Sequence, residues 1–218
     1  MPSLQQQIYQ RLKESLHQGR FEPGEKLKIR QLAAQWQVSA MPVRAALLTL
    51  VAEGALEGQQ QRSVRVPVLT AERYKEILAV RLSLEGEAAE QGTTRLNAQQ
   101  KAQLTALVEQ MKLASASADA SAYLQANSKF HLVLYSACGN SVLVRLIESL
   151  WMQTGPLFRC FFHQPDISLP LNDFHEDVME GVDKGDPYRV RAAIEADLKY
   201  FGKFLLEHLD QQSAKPSL

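Results

Sequence analysis

The stretch Ile29-Arg-Gln-Leu-Ala-Ala-Gln-Trp-Gln-Val-Ser-Ala-Met-Pro-Val-Arg-Ala-Ala-Leu-Leu-Thr-Leu-Val-Ala-Glu-Gly54 reads as two short helices joined by a tight turn. Leu32, Ala33 and Trp36 supply the apolar side of the first helix. Val38 reads as a buried turn residue. Ser39 is the expected N-cap of the second helix, its hydroxyl accepting a first-turn amide. Pro42 falls in the first turn, where its missing N–H costs nothing. Val43, Leu47, Leu50 and Val51 then share one helical face, while Arg44 and Thr49 lie off it, and Gly54 stops the helix. Two helices meeting through such a turn form a helix-turn-helix, whose second helix is shaped to enter a DNA major groove.

Working outward, Ala55–Glu57 and Ser63–Val68 read as two short strands around a polar tip, Gly58–Arg62. Val64, Val66 and Val68 alternate with Ser63, Arg65 and Pro67, the period of a half-buried strand, so a β-hairpin wing stands beside the reading helix. Upstream, Leu4, Ile8, Leu12 and Leu16 recur every fourth residue across a first helix over 3–19 and form the face that packs under the pair. Phe21-Glu-Pro-Gly24 is turn chemistry. Pro67–Thr70 is the linker, with Thr70 an N-cap for the next helix. Beyond it the pattern is helical throughout: 71–91, then a helix capped by Asn97 to about 116, then one opened by Asp119 and ending near Cys138. Ser141 is the expected cap of 142–153, a further segment covers 157–163, and 164–170 is a loop. A helix to about Lys184 and a last one through Ile194, Leu198, Phe201, Leu205 and Leu209 complete the chain. The expected fold is mainly α: an N-terminal winged helix-turn-helix over 1–68, and an antiparallel helical bundle of six or seven helices over 69–218, large enough to enclose a cavity.

Composition agrees with two domains. In 218 residues, 24 Lys and Arg balance 24 Asp and Glu overall. They do not balance locally: up to Val68 there are 9 basic and 5 acidic residues, leaving 15 and 19 beyond it. A basic reader joined to an acidic module fits a nucleic-acid binder with an attached controller. Cys138 and Cys160 lie in apolar helical surroundings, as expected of a reduced cytoplasmic protein. No signal peptide and no apolar run near 18 residues is present, so membrane insertion and export are not expected.

The chain resembles bacterial transcription regulators of the GntR family, in the FadR-like subgroup with an all-helical FCD effector-binding domain. The resemblance rests on Pro23-Gly24, Leu32-Ala33, Val38-Ser39, Pro42-Val43-Arg44, Ala46-Leu47, Leu50 and Glu53-Gly54 in the first half. In the second half it rests on Arg81-Leu-Ser-Leu-Glu85, Asn127-Ser-Lys-Phe-His131, His175, Gly185-Asp186 and Leu198. It implies that Arg30 touches DNA, that Ser39 donates to a phosphate, and that Arg44 reads a guanine through O6 and N7. Two positions depart from the family pattern: Ala40 stands where an arginine is usual, and Gln61, with Arg62 beside it, stands at the wing tip where a glycine is usual. For Arg30 and Arg44 the alternative is an exposed helix arginine with no such role. The resemblance further implies that Asn127, His131, His175 and Asp197 converge on a divalent metal (zinc, nickel or manganese) at which a small carboxylate effector binds. Asn127 and His131 are i, i+4 on one helix and share a face. The family's usual last histidine is Asp197 here, and the amide of Asn127 is a poor ligand. The alternative is that the two histidines hydrogen-bond with Asp197 and each other without metal. Arg81 matches an arginine that faces the pocket and pairs with a carboxylate; a salt bridge to Glu85 one turn on is the alternative.

Two function classes compete. The favoured one is a ligand-responsive DNA-binding transcription factor, expected to be a cytoplasmic repressor. It would bind an inverted-repeat operator in double-stranded DNA as a homodimer, without membrane association or catalysis. The other is a metal-dependent enzyme of small organic acids carrying a DNA-binding module. No carboxylate shares a helical face with a ligating histidine in a HExxH-like way, which leaves that enzyme without an obvious proton acceptor.

Overall fold

The computed structural model describes residues 2–59, 63–163 and 173–213. Two compact units emerge, Met1–Leu69 with Ser149–Cys160, and Thr70–Glu148 with Phe161–Leu218. In the first, α1 spans Leu4–His17. Ser3 and Gln6 cap it reciprocally: the Gln6 N–H donates to Ser3 Oγ, and the Ser3 N–H donates to Gln6 Oε1. Ile8, Leu12 and Leu16 are buried as their spacing predicts, but Leu4 stays 47% exposed, because the first turn extends past the core. The reading pair is α2, Ile29–Gln35, and α3, Ala40–Ala52. The turn between them places Gln37 at φ +55, and Val38 is only partly buried. Val43, Ala46, Leu47 and Leu50 are fully buried on α3, opposite Leu12 and Leu16.

The wing differs from the hairpin expected. Its strands are shorter, Glu57–Gln59 (β2) and Ser63–Arg65 (β3), and a further strand, Lys26–Leu27 (β1), pairs with β3. The sheet is antiparallel with order β1-β3-β2, and Glu57 faces Arg65 in register and bonds it at 2.6 Å. Ala55 and Leu56, expected in the strand, instead bury their side chains as the chain leaves α3. Two residues carry no readable alternation, so β1 was beyond a period-based reading.

Residues 149–160, expected in the helical domain, group with the first unit. Met152 joins the core of that unit, and the Trp151 ring meets the His17 ring edge-on at 5.7 Å. A Cβ on Gly155 would lie 2.1 Å from the Leu16 carbonyl oxygen, so only glycine admits this approach.

The second unit is all-helical among its described residues: α4 Ala71–Thr93, α5 Ala98–Ala116, α6 Ala120–Ser136, most of α7 (Ser141–Thr154), α8 Asp173–Lys184 and α9 Pro187–Ser213. A 3-10 segment, Gly155–His163, follows α7. Thr70, Asn97 and Asp119 cap α4, α5 and α6 as expected. The cap of α7 is Asn140 and not Ser141, since Asn140 Oδ1 accepts from the N–H groups of both Val142 and Leu143 at 3.1 Å. The expected loop over 164–170 lies outside the described residues. Helix α4 packs on α9 and on α6, α5 on α6, and α8 on α9. The approach of α4 to α6 is closest at Gly92, where a Cβ would stand 2.2 Å from the Leu134 carbonyl oxygen. No described helix is long and apolar enough to cross a membrane.

Candidate functional site

Two groups of residues carry the chemistry. The first is the exposed side of the reading pair. Arg30 lies in the first turn of α2, and Ser39, Ala40 and Arg44 lie at the start of α3, all exposed. Ser39 occupies the N-cap position, but its hydroxyl makes no capping hydrogen bond, which corrects the capping role expected for it. That hydroxyl is therefore not committed to its own helix. Gln61 and Arg62, at the wing tip, lie outside the described residues.

The second group is a buried polar cluster within the helical unit. Arg81 and Glu85 on α4, His131 and Tyr135 on α6, His175 on α8 and Asp197 on α9 are all buried. Arg81 Nε donates to Glu85 Oε1 at 2.6 Å. Tyr135 Oη donates to the other carboxylate oxygen, Oε2, at 3.0 Å. A hydroxyl has one proton, so its 3.1 Å contact with His131 must be donated by the imidazole Nδ1–H. A neutral His131 then carries its lone pair on Nε2, the atom 3.6 Å from Asp197 Oδ2. Beside it, His175 Nε2 lies 2.8 Å from Asn127 Oδ1, and the two imidazole centroids are 5.3 Å apart. Phe130 closes the apolar side, edge-on to both rings.

Burial sets the protonation. It holds His131 well below the usual histidine value, helped by the neighbouring His175 and Arg81 charges. It also raises the Asp197 carboxyl to about 7, with Glu85 adding to the shift and Arg81 opposing it. Burial is the largest single influence on Arg81 and would lower it, but the charge and hydrogen bond of Glu85 together with the Tyr74 and Tyr135 phenols outweigh it, and the guanidinium is raised above its ordinary value. Burial and Glu85 together push the Tyr135 phenol well up, so it stays a donor. Among the described residues, Asp197 Oδ1 is buried with no hydrogen-bond partner.

The four expected ligands are thus brought to one place, but as two pairs, Asn127 with His175 and His131 with Asp197. Among the described residues no three His, Cys, Asp or Glu side chains form a metal-holding group. The donor chemistry nevertheless fits a divalent cation: an imidazole kept neutral with its lone pair turned inward, a second imidazole, an amide oxygen and a carboxylate with an orphaned oxygen. Arg81 lies at the same cluster, engaged by Glu85 as in the ion-pair alternative. Tyr135 is a site residue that the sequence reading missed, and Glu85 is one that it named only as the ion-pair partner of Arg81. Each stands four residues from a residue it did identify (Arg81 and His131), and that spacing was the available signal.

Comparison with known proteins agrees with both halves. Residues 4–66 match the family described as bacterial regulatory proteins, gntR family, and residues 76–200 match the FCD domain. The HTH-type transcriptional regulator McbR of Escherichia coli K12 is 33% identical over 154 residues, covering 71% of this chain and 70% of McbR. A solved structure of E. coli McbR/YncC superposes with a TM-score of 0.91 at 27% identity, over 95% of this chain and 99% of that one. A probable D-xylose utilization operon transcriptional repressor of Paenarthrobacter nicotinovorans is 27% identical over 173 residues, 78% of this chain and 74% of that protein. These are regulators, and the enzyme alternative has no support among them. The chain belongs to the GntR family, in the FadR-like subgroup with an FCD domain, and is a DNA-binding transcription regulator, not an enzyme.

Proposed function

We propose that this regulator is a cytoplasmic repressor that binds an inverted-repeat operator as a homodimer and is released by a small carboxylate effector held in the buried cluster of the helical unit. One recognition helix reads about half of a symmetric site, which is why a dimer is required. Arg30, Ser39 and Arg44 make the DNA contacts, with Gln61 and Arg62 reaching DNA from the wing. The repressor assignment is supported by the name of the Paenarthrobacter relative, a probable repressor of a D-xylose utilization operon.

The observation that carries the effector site is the orphaned, buried Asp197 Oδ1 in a cluster with an ion-paired arginine and two imidazoles. A helical core built for stability alone is better served by apolar residues, since buried ion pairs rarely add net stability. His131, His175 and Asp197 would hold a zinc, nickel or manganese ion, with Asn127 a weaker fourth ligand. Such an ion would supply a positive point of attachment for a carboxylate. The protein's own part is electrostatic. Glu85 holds Arg81 in place, and an incoming carboxylate competes with Glu85 for the guanidinium fork.

Metal analysis of the purified full chain, followed by melting with nickel, zinc or manganese and then with a panel of small hydroxy and sugar acids, tests this reading. Metal at a hundredfold excess over its dissociation constant should stabilise by about 2.7 kcal/mol. His131→Ala should abolish that gain and blunt effector release of DNA. No bound metal, no metal-induced shift and no acid that weakens DNA binding would overturn it.

A further inference from the structure

The outward side of α3 carries an unexpected load. Val43, Ala46, Leu47 and Leu50 face the core and are fully buried. At about 100° per residue, Met41, Arg44 and Leu48 fall together on the opposite side, within about 60° of one another. Met41 is 75% exposed and Leu48 54% exposed, and neither belongs to the hydrophobic cluster of the first unit. Two large apolar side chains therefore flank the exposed arginine on the surface that meets DNA. Neither is part of the core of the first unit.

We propose that Met41 reads the 5-methyl group of a thymine in the base pair next to the guanine contacted by Arg44. The inference rests on the reading that α3 lies in the major groove, and deepens it by assigning a second specificity residue. First-turn residues of a recognition helix are those that reach base edges, and Met41 is the second residue of α3. In the major groove the thymine methyl is the apolar feature of the base-edge code, and it is read by apolar side chains. A methionine fits this task because its unbranched thioether adapts to the position of the methyl. Its neighbour Ala40 is also exposed and ends at Cβ, so no long side chain competes for the same edge. Met41 and Arg44 are three residues apart, about 4.5 Å along the helix axis. A base-pair step is about 3.4 Å, so the two side chains address adjacent pairs and not the same one. Leu48 continues the stripe one turn further from the helix N-terminus, away from the base edges.

Selection from a random duplex library with the full-length chain, at one fixed salt concentration, tests this directly. The parent should enrich a guanine with a thymine in the adjacent pair. Arg44→Ala should lose the guanine, whereas Met41→Ala and Met41→Gln should keep the guanine and lose the thymine. In the best selected duplex, replacing that thymine by deoxyuridine removes only the methyl. The parent should then bind about fourfold more weakly, the value of burying one methyl group, and Met41→Ala should change by less than about twofold. Equal binding of thymine and deoxyuridine by the parent, or an equal loss in parent and variant, would overturn the assignment. It would leave Met41 as a contact for another macromolecule. If no guanine dependent on Arg44 is selected at all, the placement of α3 in the groove fails instead.

Discussion

Replacing Gly92 by alanine should destabilise the helical unit, although alanine is the better helix former. Gly92 sits inside α4, where an added Cβ favours the helix by about 1 kcal/mol. That Cβ would stand 2.2 Å from the Leu134 carbonyl oxygen, about 1 Å inside van der Waals contact, and the obstacle is backbone. Helices α4 and α6 must part to admit it. Overpacking of this kind costs about 1–3 kcal/mol, and relief through backbone movement places it at or above the upper end. The net loss should be about 2 kcal/mol, or a fall of about 4–8 °C in melting temperature. The same parting strains the Tyr135–Glu85 hydrogen bond, which joins the same two helices. Gly86, on the same helix, is the internal control. Its added Cβ would meet Glu195 Oε1 at 3.1 Å and the Arg191 side chain at 3.3 Å, flexible ends that can give way. Gly86→Ala should therefore be neutral or stabilising by up to about 1 kcal/mol. Urea unfolding of the two variants, followed by far-UV circular dichroism, measures both. A Gly92→Ala protein as stable as the parent would refute the claim that α4 and α6 meet backbone to backbone at this point.

Three further outcomes are expected. The Asp197 carboxyl moves from 3.8 to about 7 on folding, so between these values the native state retains a proton that the unfolded chain has released. Its stabilising share is complete below about 4 and is lost as pH rises through about 7, up to about 4 kcal/mol in all. His131, held low, acts in the opposite direction, losing stability as pH falls below 6.5. Measured in chelator, Asp197→Asn should gain on the parent steadily from about pH 4 to about pH 7, and a pH-independent difference would refute the shifted carboxyl. Tyr135→Phe leaves His131 Nδ1 and Glu85 Oε2 without their shared hydroxyl and should cost about 1–3 kcal/mol by chemical denaturation; a change below about 0.5 kcal/mol, the surface-substitution range, would deny the bridge. Met152→Ala should cost the first unit about 2–5 kcal/mol. Hydrogen exchange should then quicken in α1, and unchanged α1 protection would show that residues 149–160 do not belong to that core.

The features legible in the sequence were those that local rules impose. The caps Thr70, Asn97 and Asp119 and the stop at Gly54 mark helix ends through backbone chemistry confined to a few residues. The core positions Leu12, Leu47 and Leu50 followed from helical period alone. The spacing of Asn127 and His131 put them on one face before any tertiary contact was known. Local rules failed where two partners competed for one role. Asn140 and Ser141 are both good caps, and which amides lie within reach settled it for Asn140. Ser39 sits where a cap belongs and makes no capping bond.

The tertiary structure alone decided the rest, because it depends on groups distant in the chain. Strand β1 exists only because β3 offers it a partner. Residues 149–160 join the first unit because Met152 packs in its apolar core and the Trp151 ring meets that of His17. The network from Arg81 through Glu85 and Tyr135 to His131 links α4 to α6 across 50 residues. The proton that Asp197 keeps to about 7 is set by burial and by Glu85 and Arg81, neither of them its sequence neighbour. Period and propensity act over a turn or two of chain. Burial, close approach and charge act through space, and they determine which of the sequence's candidate groups meet.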